Sequence, residues 1–217
     1  MMLFAPLLQG IEYPTPTTAQ ILNNFVPGLL TLLAFGAGLS GGWEVLFDLR
    51  DGVLERFRVT PARRFSMLFG LVLHDIIVFL MPALFVLIIA ALFGFTIHIG
   101  GLVVLLVLLC LLTAVCSAFS AAMALIIKES GGYAALLQGM QLPLMLLSGI
   151  LLPLSLGPRW LQVLGYMNPL YYTVDASRVL ATGSIFASSV LLAFAILLPL
   201  TIVSMLWATR VYKKAIK

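Results

Sequence analysis

Long apolar runs separated by short polar stretches dominate this chain. Residues 24–46, 66–93, 101–127, 133–154 and 185–208 each present the ~20 predominantly apolar positions that a helix needs to cross a bilayer. The runs do not alternate apolar with polar positions as barrel strands do. The pattern therefore predicts an all-α, polytopic helical membrane protein with five full transmembrane helices in one domain, 1–217, and no separate soluble domain. Pro27 stands near the entry of the first run, where its missing amide hydrogen is harmless, and Pro82 is expected to kink the second. The fourth run is interrupted by Pro143 and Gly149, and its end, PLSLGPRW, is expected to fold rather than continue as helix. Ala114, Ser117, Ala118, Ala121 and Ala122 form a small-residue stripe suited to close packing. Gly38 and Gly42 stand in GxxxG spacing, which serves either packing within the protomer or a dimer seam.

Two stretches break this apolar pattern. The first, 47–65 (FDLRDGVLERFRVTPARRF), holds five of the twelve Lys and Arg residues. Over Leu46–Val59 a helix would place Leu49, Val53, Arg56 and Phe57 on one face, with Arg50, Asp51 and Glu55 projecting elsewhere. Thr60–Pro61 would end it, because proline disfavours a helical residue before it. The second stretch, 158–183, contains Trp160, Tyr166, Tyr171 and Tyr172, aromatics of the kind that settle at a membrane interface. Its length suits an outer re-entrant or interfacial helix pair, with Asp175 and Arg178 as an i, i+3 ion pair.

Composition agrees with the pattern. Charged residues make up 9% of the chain, against about a quarter in soluble proteins. Ten of the twelve basic residues fall in 47–65, at Lys128 and in the tail (Arg210, Lys213, Lys214, Lys217), leaving only Arg159 and Arg178 on the opposite side. The positive-inside rule then makes 47–65 and the C-terminus cytoplasmic, in a multi-pass protein of a bacterial-type inner (plasma) membrane. Residues 1–23 become an outer N-terminal segment. As a helix, Met1–Ile11 would reach only ~17 Å, too short to span. A first span is therefore expected to be missing, with 1–10 its outer remnant.

Few residues suggest chemistry. Cys110 and Cys116 lie on different helical faces of an apolar run and are expected to be structural thiols. His74 and Asp75 sit in the second run, with Asp75 about 14 Å along a helix from the cytoplasmic end. An acid at that depth should face protein or water, either as a polar tie between helices or lining a pathway. It is read as a single intramembrane acid with no second one to relay a proton. No nucleophile–base pair, metal cluster or nucleic-acid patch stands out in the sequence, so no catalytic, metal-binding or cofactor-binding residue is assigned.

Two motifs resemble a known family. Trp43–Arg64 carries Asp51, Gly52, Leu54–Glu55 and Thr60–Pro61 in an order similar to the cytoplasmic segment of ABC-2 type exporter permeases. Tyr166–Gly183 carries Asn168–Pro169, Asp175, Arg178 and Gly183, and looks like the outer segment before the last span of the same permeases, closest to their drug-resistance and nodulation-factor branch. The resemblance implies six spans, where five are visible here, and a homodimer or a heterodimer with a similar permease. It also implies a separate ABC ATP-binding subunit, and no GxxxxGK[ST] phosphate loop occurs in this sequence. ATP would be bound by that partner, with no cofactor on this chain and with membrane lipids, not nucleic acid, as the other partners.

On this reading 47–65 is a cytoplasmic coupling helix, with Arg50, Asp51, Leu54, Glu55, Arg56, Phe57 and Arg58 meeting the ATPase. Asn168, Pro169, Tyr171, Tyr172, Asp175 and Arg178 are candidates for an outer gate. The implied function is outward export of an amphipathic drug-like or lipid-linked substrate. The alternatives are a membrane-embedded lipid-modifying enzyme using His74 and Asp75 as an acid/base pair, and a non-transporting scaffold or sensor subunit.

Overall fold

The computed structural model describes residues 18–52, 64–93, 95, 98–150 and 159–215. Among these, seven helices follow in order: α1 (Thr18–Arg50), α2 (Arg64–Leu92), α3 (Ile99–Ile127), α4 (Ser130–Leu147), α5 (Arg159–Tyr166), α6 (Pro169–Ala181) and α7 (Ser188–Ala215). Pro27 lies within α1, and the Thr31 hydroxyl donates to its carbonyl at 2.9 Å one turn later. Pro82 lies within α2.

Four helices among the described residues are long and apolar enough to cross a membrane: Phe25–Arg50, Ser66–Leu92, Ile99–Ile127 and Ser188–Lys214. The fourth apolar run differs from expectation. It folds as α4, which is 18 residues long with Pro143 inside and therefore reaches only about 27 Å. It stops where the Ser148 hydroxyl turns back onto the Met145 carbonyl at 2.7 Å and Gly149 takes a φ of 74°. The expected break at Pro143 and Gly149 is thus displaced to Gly149, and α4, with Gln138 and Gln141 inside it, is less apolar than the four spanning helices.

Burial separates an inner helix pair from outer helices. The membrane windows of α1 and α3 are 61% and 56% buried inside the protein, those of α2 and α7 only 28% and 22%. The outer helices expose Met81, Phe85, Ile202 and Val203, side chains as apolar as lipid tails. On α3 the predicted stripe Ala114, Ser117, Ala118, Ala121 and Ala122 is buried throughout, while Thr113, Cys116, Ser117 and Ser120 meet α1. Both glycines of the GxxxG pair pack inside the protomer. A Cβ at position 38 would collide with Cys116 and the Thr113 carbonyl, and one at position 42 with Tyr133 and Ser120. That contact answers the choice left open by sequence: the pair serves helix packing within one chain.

One end of the bundle gathers the C-termini of α1, α3 and α7 and the N-termini of α2 and α4. Val45, Leu46, Leu68, Leu125, Tyr133 and Tyr212 belong to a shared buried cluster there. A single left-handed residue, Lys128 (φ 58°), turns α3 into α4, and its amide donates to the Ala124 carbonyl at 2.9 Å.

At the opposite end, the mixed-polarity stretch forms the expected helix pair, α5 and α6. α6 is more deeply placed than an interfacial helix would be. Leu170, Val174, Ala176, Ser177 and Leu180 are buried against α1, α3 and α7, and the Ser177 hydroxyl meets that of Thr31 at 3.3 Å. The surface-lying part is α5, with Trp160 and Tyr166 exposed.

Candidate functional site

The expected coupling segment is described only at its start. Arg50 closes α1, and its guanidinium donates to the Ser130 hydroxyl in the first turn of α4 at 2.6 Å. The Asp51 amide donates to the Phe47 carbonyl, and Gly52 turns the chain with a φ of 68°, which glycine adopts without strain. Leu54, Glu55, Arg56, Phe57 and Arg58 lie outside the described residues. Behind Arg50, α1, α3 and α4 are locked by a hydroxyl network. Ser120 accepts from the Gly42 amide at 2.8 Å and donates to the Leu39 carbonyl at 2.8 Å, while the Tyr133 hydroxyl stands 2.6 Å from Ser120 and 3.1 Å from the same carbonyl.

The residues expected at the outer gate are brought together, with roles that sequence spacing did not show. Asn168 caps α6: its Oδ1 accepts from the Leu170 amide at 3.0 Å, and its Nδ2 donates to the Leu144 carbonyl of α4 at 2.8 Å. Pro169 follows at the first helical position, where a missing amide hydrogen costs nothing. The Tyr171 ring packs edge-on against Tyr166 and Tyr172, at 5.2 and 5.5 Å, and the Tyr172 hydroxyl donates to the Tyr166 carbonyl.

Burial, with Asp175 and the neighbouring tyrosines adding to it, pushes the Tyr171 phenol above its ordinary pKa. Arg178 departs from the expected i, i+3 pair. No Asp175–Arg178 ion pair forms among the described residues; the guanidinium instead donates to the Gly149 carbonyl at 2.9 Å. It thereby ties α6 to the turn that ends α4. Burial lowers the Arg178 pKa and the nearby Asp175 charge opposes that shift.

His74 and Asp75 stand beside a third residue on another helix. Asp75 is fully buried, and one of its carboxylate oxygens, Oδ2, accepts from Ser117 of α3. The other, Oδ1, has no hydrogen-bond donor and faces His74 Nδ1 at 3.7 Å. Glu44 of α1 brings its Oε1 to 3.2 Å from the same nitrogen. Reading Asp75 as the single intramembrane acid is thus corrected: the apolar run 24–46 contains a second acid, Glu44, and α1 delivers it to the His74–Asp75 pair. Its position inside that run was the available signal, since an acid within a span is costly and must find a partner.

A cavity of about 210 Å³ opens between α1, α3, α4, α6 and α7. Phe35, Leu112, Phe119, Leu144 and Leu200 are among its walls, and Asn168, Gln141 and Ser204 also border it. Pockets for drug-sized ligands run ~300–1,000 Å³, so this one would take an apolar portion of such a molecule.

Residues 1–182 match the family of ABC-2 type transporters. The chain belongs to the ABC-2 type transporter family. Together with the four apolar helices, this membership makes it a multi-pass membrane protein. This ABC-2 domain is 30% identical over 194 residues to a protein of Cyanophora paradoxa named "Putative transport permease ycf38", a match covering 87% of the present chain and 67% of the relative. Proteins of the same name from Porphyra purpurea and Pyropia yezoensis are 24% and 26% identical, over 85% and 82% of this chain and 64% of each relative. The ABC-2 domain described here thus spans about two thirds of the length of these relatives. No solved structure matches it significantly.

Proposed function

We propose that this chain is the permease subunit of an ATP-driven exporter, energised by a separate ATP-binding subunit that docks on residues 47–65. The observation that carries the reading is the convergence of α1, α2, α3, α4 and α7 at the end where α1 stops and α2 begins. There Arg50 bridges to Ser130, and Lys128, Arg210, Lys213 and Lys214 lie at the same end. A force applied to the loop reaches both inner helices through buried contacts. The basic excess supports a cytoplasmic position for that end and for the C-terminus.

Leu54 and Phe57 would enter a groove of the ATPase, with Glu55, Arg56 and Arg58 forming the charged rim that orients the helix. At the far end, α6 acts as an outer gate, anchored by Asn168 and Arg178 to the C-terminal part of α4. The nearly apolar cavity supports an amphipathic or lipid-linked substrate whose apolar portion enters the protein, and a second, similar permease completes the pathway.

The test is reconstitution. Vesicles carrying this chain and its ATP-binding partner should accumulate a fluorescent amphipathic dye only while ATP is hydrolysed. Accumulation without the partner would overturn the proposal, as would chemical conversion of lipid by the purified chain alone.

A further inference from the structure

Near the basic end, but facing into the α1–α2–α3 contact, lies a group of side chains that the transport reading does not use. Glu44 Oε1, His74 Nδ1 and a carboxylate oxygen of Asp75 all lie within 4.8 Å of one another. We propose that these three residues form a binding site for a divalent transition-metal ion, of the zinc class, that pins α1 to α2.

The donor spacing fits. Ligands held ~2.0–2.1 Å from a tetrahedral zinc ion stand roughly 3.3–3.4 Å apart. Glu44 to His74 is 3.2 Å and His74 to Asp75 is 3.7 Å, near that spacing, while the Glu44 and Asp75 oxygens, within 4.8 Å of each other, would close by up to ~1.4 Å through rotation of the half-exposed Glu44 side chain. A second, independent feature points into the same space. Asp75 is wholly buried, its Oδ2 is satisfied by Ser117, and its Oδ1 has no donor although it faces the imidazole. A bare carboxylate oxygen inside a membrane bundle is costly, and a cation supplies what the surrounding side chains do not.

The backbone makes room for this arrangement. At Gly41 of α1 a Cβ would collide with the Asp75 carboxylate, so the absent side chain lets α2 bring the acid against α1. His74 and Glu44 are 54% and 40% exposed, which gives an ion a path in and leaves a fourth position for water.

The donors also indicate the class of ion. An imidazole with two carboxylates suits zinc or a neighbouring first-row metal, whereas magnesium and calcium prefer all-oxygen shells. With neutral imidazole the cluster carries two negative charges, which a divalent ion neutralises. Because α1 and α2 flank residues 53–63, a loaded site would fix the spacing of the two helices on either side of that segment. The binding claim itself does not depend on the transport reading.

The test uses the full chain, purified in detergent without a polyhistidine tag, stripped with chelator and titrated with Zn²⁺ or, as a spectroscopic probe, Co²⁺. One ion per protomer should survive gel filtration, with Co²⁺ absorption showing imidazole coordination. Glu44→Gln and His74→Asn, both at half-exposed positions, should weaken binding at least about tenfold, while Glu129→Gln leaves it unchanged. No retained ion in the wild-type chain would overturn the site, as would equal retention in both variants. Either result would reduce the cluster to a hydrogen-bonded polar group.

Discussion

Tyr133, in the first turn of α4, places its hydroxyl where the Cβ of any residue but glycine at position 42 of α1 would stand. The close approach holds because the same hydroxyl reaches Ser120 and the Leu39 carbonyl, so backbone contact and hydrogen bonding reinforce each other. Gly42→Ala should therefore destabilise the protein by about 1–3 kcal/mol through overpacking. Tyr133→Phe should cost about 1 kcal/mol through the lost hydroxyl. In the double variant the two costs should fall short of their sum by at least ~0.5 kcal/mol, because losing the hydroxyl relieves the nearest clash while the ring Cζ at 2.5 Å and Ser120 Oγ at 2.6 Å still crowd the new methyl. Thermal unfolding of all three variants in detergent checks this.

Ser117 supplies the hydrogen bond that Asp75 Oδ2 receives inside the bundle. Ser117→Ala should leave that oxygen bare and cost about 1.5–3 kcal/mol, the range for hydrogen bonds to charged groups. Ser40→Ala, at a part-buried hydroxyl bonded only within its own helix, should cost under about 1 kcal/mol. Equal effects of the two substitutions in a denaturation series would contradict the role given to Ser117.

Much of the architecture was legible in the apolar pattern. Four of the five runs became spanning helices because each is long and apolar enough to tolerate the Pro27, Pro82 and Pro199 that three of them contain, whereas Gln138 and Gln141 dilute the fourth. The small-residue stripe on α3 was readable for the same reason: small side chains at helical spacing have little use except close packing. What the sequence left unread depends on contacts between distant elements. Glu44 meets His74 only once α1 and α2 are packed, and the depth of α6 is set by a groove that three other helices form. Arg178 looked like the partner of Asp175 three residues away, yet the unpaired carbonyl of Gly149 captures it instead. Local spacing could not reveal that competitor, because it arises at the end of another helix.

Arg178 holds the turn at Gly149 through a charged donor, and arginine keeps its charge across the physiological range even when burial lowers its pKa. Arg178→Gln should destabilise the chain by roughly 1.5–3 kcal/mol, with a loss that does not vary between pH 5 and 9. A loss that changed sharply with pH in that window would show that another titrating group holds the turn.

The raised pKa of Tyr171 carries a sign. A phenol that ionises later in the folded protein than in the unfolded chain contributes stability that is fully present below the ordinary tyrosine range, and that is lost as pH rises through the folded value. Ultraviolet titration should therefore show a late-ionising tyrosine that disappears in Tyr171→Phe, and the variant should lose less stability under alkaline conditions than the wild type. A titration unchanged by the substitution would remove Tyr171 from that role.

Transmission of work from a separate ATPase through residues 47–65, as proposed, is read most directly in the ATP hydrolysis rate of the reconstituted pair. Combining Glu55→Arg with Arg56→Glu should reduce the hydrolysis stimulated by this chain by about tenfold or more, through the lost charge complementarity at the docking rim. Membrane insertion and thermal unfolding of the chain should stay at wild-type values. Hydrolysis and transport at wild-type rates in that double reversal would contradict the account.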